Sequence, residues 1–230
     1  MKTIGLLGGM SWESTAAYYQ IINTEIKKRL GGLHSAKVIV YSVDFGEIEP
    51  LQRAGNWPAT ARTLSQAAES LQAGGADCLV ICTNTMHKVA GEIAQHIDIP
   101  LLHIADATAA EIHASGHACV GLLGTRFTMA DAFYRGRLTD RFGIDVVVPD
   151  KADQDVVHDV IYEELCRGDI RESSRKAYLQ VIGRLAEQGA GAVILGCTEI
   201  SLLVQQAHTV TPLFDTTRIH ALEAVNFSLS

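Results

Sequence analysis

The chain of 230 residues lacks the sequence motifs of a bound nucleotide or a structural metal. The segment IGLLGG at 4–9 does not have the glycine spacing of a dinucleotide-binding turn, and no Gly-Lys-Ser/Thr sequence follows for a phosphate-binding loop. No spacing of Cys and His residues is typical of a zinc site. We therefore expect chemistry that uses neither a cofactor nor a metal.

Aromatic residues make up only 6% of the chain, and no apolar run reaches the length of a membrane span. The N-terminus runs directly into a strand pattern, without the features of a signal peptide. Five cysteines without paired spacing indicate reduced thiols. The net charge of −7 argues against a surface for nucleic acid or anionic membranes. Together these features predict a cytoplasmic protein that binds neither nucleic acid nor a membrane.

Short apolar runs alternate with helical patterns along the chain, and many of the helical patterns end at glycine. Such runs are typical of strands that are buried on both faces of a parallel sheet, so the sequence predicts an α/β fold. The predicted strands are 3–7, 37–42, 78–82, 100–103, 118–123, 145–148 and 192–195, with a further possible strand at 211–214.

The sequence contains an internal repeat. LQAGGADCLVICTNT at 71–85 aligns without a gap to LAEQGAGAVILGCTE at 185–199, and IGLLG at 4–8 recurs as VGLLG at 120–124. The repeat predicts two pseudo-symmetric α/β half-domains with the ligand in a cleft between them. We place the first half-domain at 1–98 plus 212–230, which makes it discontinuous, and the second at 99–211.

The two copies differ where chemistry is expected, because the alignment puts Thr83 opposite Cys197. Ligands of parallel sheets bind beyond the carboxyl ends of the strands, and both residues lie there. A position between a strand and a helix lowers the pKa of a thiol, which makes Cys197 the candidate nucleophile or base. Cys82 precedes Thr83 by one residue, so it should point to the opposite face of the strand. Cys78 and Cys119 fit buried structural positions.

The loops that follow the predicted strands carry polar side chains suited to a small carboxylate ligand. Serine and threonine at such junctions also serve as helix caps, and that alternative remains open. Gln52 is predicted to lie in the loop region after strand 37–42. The candidate ligand-binding residues are Met10, Ser11, Gln52, Asn84, Thr85, Thr125, Thr198 and Glu199.

The segments IGLLGGMSWE (4–13), TNTMH (83–87), GLLGT (121–125) and GCTE (196–199) resemble the aspartate/glutamate racemase family. The resemblance extends over nearly the whole chain and implies a cofactor-independent amino-acid racemase, often dimeric, with two pseudo-symmetric α/β domains. In that family one cysteine thiolate removes the Cα proton and a second thiol returns a proton from the opposite face. The second cysteine corresponds to Cys197, whereas the first corresponds to Thr83. Some aspartate racemases have lysine at the position of Cys166, so we expect Gln52, Arg53 or Arg126 to bind the distal carboxylate instead.

Three functions follow from these observations. The first is racemisation of aspartate or glutamate by a homodimer, with Cys197 as the base for the L-enantiomer and Thr83 in place of the second cysteine. The second is another activity of the same superfamily: maleate isomerase, hydantoin racemase or decarboxylase. The third is a non-catalytic amino-acid-binding protein.

Overall fold

The chain folds into two units, each built on its own four-stranded parallel sheet. The computed structural model describes all residues from 1 to 230. Unit 1 comprises Met1–Ile104 and Thr217–Ser230, and unit 2 comprises Ala105–Thr216. None of the helices combines the length and the apolar character needed to cross a membrane.

The sheet of unit 1 has the strand order β2-β1-β3-β4. Its strands are β1 (Ile4–Gly8), β2 (Val38–Ser42), β3 (Cys78–Ile81) and β4 (Leu101–Leu102). Its helices are α1 (Trp12–Leu30), α2 (Phe45–Arg53), α3 (Trp57–Ala73), a 3-10 helix (Thr85–Val89) and α4 (Ala90–Ala94); α11 (Thr216–Leu229) returns from the end of the chain.

Strand β1 is buried on both faces of the sheet, which explains its continuous apolar sequence. Leu7 packs into a core that includes residues of α2 and α3. Ile4 and Leu6 point to the other face and pack into a core that includes residues of α1 and α11. Successive side chains of a strand alternate in this way, so one short strand supplies both cores.

The sheet of unit 2 has the order β6-β5-β7-β8. Its strands are β5 (Cys119–Gly124), β6 (Asp145–Val147), β7 (Ala192–Gly196) and β8 (Leu213–Asp215). Its helices are α5 (Ile104–Ala114), α6 (Arg126–Ala130), α7 (Ala132–Gly136), a π-helical turn (Arg137–Arg141), α8 (Lys151–Glu163), α9 (Glu172–Glu187) and α10 (Ile200–Leu203), with 3-10 turns at Leu165–Arg167 and Gln206–His208.

The two sheets confirm the α/β fold with two repeated half-domains. Their strand orders are equivalent, and their registers agree with the sequence repeat: Leu7 lies opposite Ile81 in unit 1, as Leu123 lies opposite Leu195 in unit 2. The register therefore places Thr83, after β3, and Cys197, after β7, at corresponding strand ends.

The unit boundaries lie later in the chain than the sequence predicted. Strand β4 pairs with β3, so it belongs to unit 1 rather than to the segment 99–211. Strand β8 pairs with β7, so it belongs to unit 2 rather than to the segment 212–230. Backbone hydrogen bonds keep β4 in the sheet of unit 1 and β8 in the sheet of unit 2. The chain therefore passes from one unit to the other only where α5 and α11 begin.

Candidate active site

The loops after β1 and β3 lie at neighbouring strand ends in unit 1. Met10 and Ser11 follow β1, and the hydroxyl of Ser11 caps α1 by accepting the N–H of Ser14. The hydroxyl of Ser14 donates to the carbonyl oxygen of Cys82 at 2.6 Å, which connects the start of α1 to the end of β3. This hydrogen bond fixes the start of α1 against the loop that follows β3.

Thr83 is half-buried at the end of β3, and its two successors Asn84 and Thr85 are buried. These residues lead into the 3-10 helix Thr85–Val89. The buried side chain of His87 stabilises the turn at Thr83, because its Nδ1 lies 2.8 Å from the carbonyl oxygen of Thr83.

Gln52 lies in a helix, contrary to the loop expected from the sequence. Helix α2 contains Gly46 and Pro50, which usually disfavour helix interiors and which conceal it in the sequence. Gln52 is buried on this helix, with 3% of its surface exposed. The neighbouring Arg53 is exposed and pairs with Glu49 at 2.7 Å on the same helix, so its charge is already balanced at the surface.

The strands β5 and β7 of unit 2 end together, because Gly124 pairs with Gly196. A Cβ atom on Gly124 would lie 2.9 Å from the carbonyl oxygen of Gly196, so only glycine fits between these strand ends. Thr125 and Cys197 are the next residue on each strand. The hydroxyl of Thr125 caps α6 by accepting the N–H of Thr128, so at Thr125 the capping role foreseen from the sequence is present.

Cys197, Thr198 and Glu199 form one hydrogen-bonded group. The thiol of Cys197 donates to Oε2 of Glu199 at 3.0 Å, and the hydroxyl of Thr198 donates to the same oxygen at 2.6 Å. Cys197 and Thr198 are half-buried, whereas Glu199 is 6% exposed. A carboxylate in hydrogen-bonding contact with a thiol can take the proton of that thiol. In this group Cys197 can therefore serve as a base after Glu199 has accepted its proton.

The expected lowering of the Cys197 pKa is wrong. Burial raises the pKa of the Cys197 thiol well above its ordinary value, and the negative charge of Glu199 raises it further. Helix α10 begins only at Ile200 and has four residues, so the thiol lacks the long helix start that the sequence suggested. In the resting protein Cys197 is therefore a protonated thiol that donates to Glu199.

Cys82 and Cys78 lie in the core of unit 1, as the strand alternation predicted. Both pack with Val80 in the core that faces α1 and α11. Burial raises the pKa of the Cys82 thiol far above its ordinary value and raises that of Cys78 to about 12. Neither thiol is available as a thiolate.

Arg126 was named as a candidate for binding a distal carboxylate, and Cys166 as the position where some aspartate racemases have lysine. The guanidinium of Arg126 is half-exposed and lies 3.2 Å from Asp155, so this cation already has an acidic partner. Its backbone N–H donates to Nδ1 of His158 at 3.2 Å. Cys166 packs against the core of unit 2, which also contacts Cys197.

The structure divides the predicted site residues between the two units. Unit 1 carries Met10, Ser11, Gln52, Thr83, Asn84 and Thr85, and unit 2 carries Thr125, Cys197, Thr198 and Glu199. In each unit most of these residues lie just beyond the carboxyl ends of the two central strands. No group of three or more His, Cys, Asp or Glu side chains is placed to hold a metal ion.

The chain is similar in sequence and in fold to known racemases. A family model described as Asp/Glu/hydantoin racemase matches residues 7–224. The structure of a candidate Asp/Glu racemase from Yersinia pestis is 56% identical, with a TM-score of 0.94 and complete coverage of both chains. An aspartate racemase homologue from Pyrococcus horikoshii is 32% identical with a TM-score of 0.86, again over both complete chains.

A broad specificity amino-acid racemase of Bacillus subtilis is 25% identical over 99% of this chain and 98% of its own length. The match of the family model and of complete relatives therefore covers both units. The chain belongs to the Asp/Glu/hydantoin racemase family.

Proposed function

We propose that the protein racemises an acidic amino acid, aspartate or glutamate, by removing and returning the Cα proton without a cofactor. The observation that carries the proposal is the strand end after β7, where the thiol of Cys197 donates to the carboxylate of Glu199. Family membership supports the reaction class, and the relatives include an aspartate racemase homologue, a candidate Asp/Glu racemase and a broad specificity amino-acid racemase.

Cys197 is the base that removes the proton from the L-enantiomer. Because its pKa is raised in the resting protein, the thiol must first lose its proton, and Glu199 is the acceptor within hydrogen-bonding distance. The proton passes from Sγ to Oε2, and the thiolate then takes the proton from Cα. The ammonium group of the bound substrate supplies positive charge that favours the thiolate in this buried environment.

Thr83 occupies the strand end that corresponds to Cys197 and takes the place of the second thiol. A threonine hydroxyl does not ionise near neutral pH, so Thr83 returns a proton as a neutral donor while it accepts one from water. The hydroxide left by that water is neutralised from the solvent, to which Glu199 releases the proton it took from Cys197. It is a poor base for the D-enantiomer. We therefore expect L-substrate to exchange its α-hydrogen much faster than it inverts.

The α-carboxylate requires hydrogen-bond donors, because negative charge develops next to it when the proton leaves. Backbone N–H groups and side chains at the strand ends supply them. In this proposal Ser11, Asn84, Thr85, Thr125 and Thr198 bind the carboxylates and the amine, with Met10 and Gln52 as further contacts in unit 1.

The experiment is incubation with L-Asp and with L-Glu in deuterated water, followed by separate measurement of α-deuterium and of the D-enantiomer. We expect Cys197→Ser to lower both by at least about a hundredfold, because serine supplies no equivalent base. The control is Cys119→Ser, which changes a thiol at the start of β5, away from the strand end. Exchange that survives in Cys197→Ser at more than a few per cent of the wild-type rate contradicts the role of Cys197.

A non-catalytic amino-acid-binding protein is the second candidate function. The hydroxyl at Thr83 and the raised pKa of Cys197 both favour it, because neither group is an ionised base at rest. It predicts that calorimetry detects aspartate or glutamate binding while deuterium exchange stays at the level of the solution without protein.

A further inference from the structure

The motif TNTMH places His87 four residues after Thr83, and no step of the proposed reaction uses it. The imidazole of His87 is 3% exposed and forms two hydrogen bonds with the backbone. Nδ1 lies 2.8 Å from the carbonyl oxygen of Thr83, and Nε2 lies 3.2 Å from the backbone nitrogen of Ile104.

The two partners determine where the proton of His87 lies. A carbonyl oxygen only accepts, so Nδ1 carries the hydrogen; a backbone N–H only donates, so Nε2 is bare. His87 is thus neutral and confined to one tautomer. Burial and the neighbouring imidazoles of His103 and His220 hold its pKa well below the ordinary value, which agrees with this assignment.

These bonds connect the end of β3 to the residues after β4. The ladder between β3 and β4 has only two pairs, Leu79 with Leu101 and Val80 with Leu102. Beyond them the imidazole spans the gap from the carbonyl of Thr83 to the N–H of Ile104. The side chain of His87 therefore replaces backbone pairing where the sheet stops, directly at Thr83.

The packing around His87 leaves it little freedom to move. Its ring contacts those of His103 and His220, with centroids 4.6 and 5.6 Å away. His220 is fixed in turn, because its Nε2–H donates to the carbonyl of Leu102 at 2.7 Å and its Nδ1 accepts from the hydroxyl of Tyr18 at 2.8 Å. His87 is thus packed against a neighbour, His220, whose own position is fixed.

We propose that His87 is the positioning residue of Thr83: its Nδ1–H holds the carbonyl of Thr83 and so fixes the hydroxyl that returns the proton during inversion. This role rests on the proposed function, since it concerns the Thr83 half of the reaction. Displacing a reacting group by about 1 Å costs on the order of a hundredfold in rate, so loss of this one bond is measurable.

Two substitutions separate the two hydrogen bonds of His87. The amide nitrogen of His87→Asn replaces Nδ1 and keeps a donor to Thr83, whereas the longer side chain of His87→Gln places an acceptor near Ile104 and loses that donor. The exposed His96 of the same unit provides the control His96→Asn. The readout is the ratio of inversion to α-deuterium exchange from L-substrate, measured in wild-type and Thr83→Cys backgrounds.

We expect His87→Gln to lower this ratio by about tenfold or more, while His87→Asn stays near the wild-type ratio. General damage to the fold lowers inversion and exchange together and leaves the ratio unchanged. If His87→Gln and His87→Asn have the same ratio of inversion to exchange, whether at the wild-type value or below it, the positioning role of His87 is refuted. Absence of any exchange in wild-type protein refutes the proposed function instead.

The tautomer provides a test that does not depend on activity. Nitrogen-15 NMR of the wild-type imidazole should show a protonated Nδ1 and a bare Nε2, and a protonated Nε2 also overturns the proposal.

Discussion

Acidification should destabilise unit 1 through its buried neutral histidines. Burial lowers the pKa of His220 to about 4 and lowers that of His87 well below its ordinary value. The unfolded chain therefore binds protons below about pH 6.5 that the folded chain does not bind. The stability due to the neutral imidazoles is complete above that pH and is lost as the pH falls towards the folded-state pKa.

The structure gives the size of the effect for His220. Between a folded pKa of about 4 and an unfolded pKa of about 6.5, the complete loss is about 3 kcal/mol, and at about pH 5 it is already about 2 kcal/mol. His87 adds a loss in the same direction. Since small proteins have only about 5–15 kcal/mol of stability, this is a large fraction.

The variant His220→Gln isolates the contribution of His220 to the pH dependence of stability, because glutamine keeps a donor for the carbonyl of Leu102 and does not titrate. It removes the acceptor of the Tyr18 hydroxyl, so near pH 7.5 it should be less stable than wild type by about 1–3 kcal/mol. The wild type loses about 2 kcal/mol more than the variant by about pH 5, so the difference between the two should almost disappear there.

Urea unfolding followed by tryptophan fluorescence measures this stability in the correct unit, since both tryptophans, Trp12 and Trp57, lie in unit 1. A stability difference between wild type and His220→Gln that is the same at both pH values refutes the reasoning.

Three further predictions concern the strand-end loops. Thr83→Cys restores paired thiols and should raise inversion relative to exchange, and D-substrate exchange in particular; equal exchange of D- and L-substrate by the wild type contradicts this. Glu199→Gln should lower deuterium exchange of L-substrate by about a hundredfold, because an amide does not take the proton of Cys197; an unchanged rate contradicts that role. Gly9→Ala should cost more than about 4 kcal/mol in thermal or urea unfolding, because its φ is 91° and a Cβ would collide with the backbone of Val43. Gly55→Ala, with a φ of 67° and open space, should cost only about 1–2 kcal/mol, and equal losses at the two glycines contradict the steric account.

The strands and their register were predictable because each central strand is buried on both faces. A strand such as β1 needs apolar residues on both sides, and that requirement appears directly in the sequence. The repeat then gave the correspondence of Thr83 with Cys197. Helix α2 was missed because Pro50 and Gly46 disfavour a helix by local propensity, while packing of Ile48 in the core holds it.

The electrostatics of the strand ends were not predictable from the sequence. The position of Cys197 before a helix suggested a lowered pKa, but burial raises the pKa of this thiol and the carboxylate of Glu199 raises it further. Neither the burial nor the direction of that carboxylate can be read from the sequence. The same is true of His87, whose two backbone partners lie four residues before it and seventeen residues after it. Motif spacing indicates which residues gather at a strand end, but not the direction of their donors and acceptors.

The discontinuity of unit 1 has a consequence for biosynthesis. Ala221, Ala224 and Val225 of α11 cover the face of the sheet that carries Ile4 and Leu6, and they follow the whole of unit 2 in the chain. At about 5–20 residues per second, the ribosome needs roughly six to twenty seconds to make unit 2. During that interval α1 covers this apolar face only in part, so completion of the first unit depends on translation of the last helix. Chaperones that bind exposed apolar surface have time to act on the part that α11 later covers.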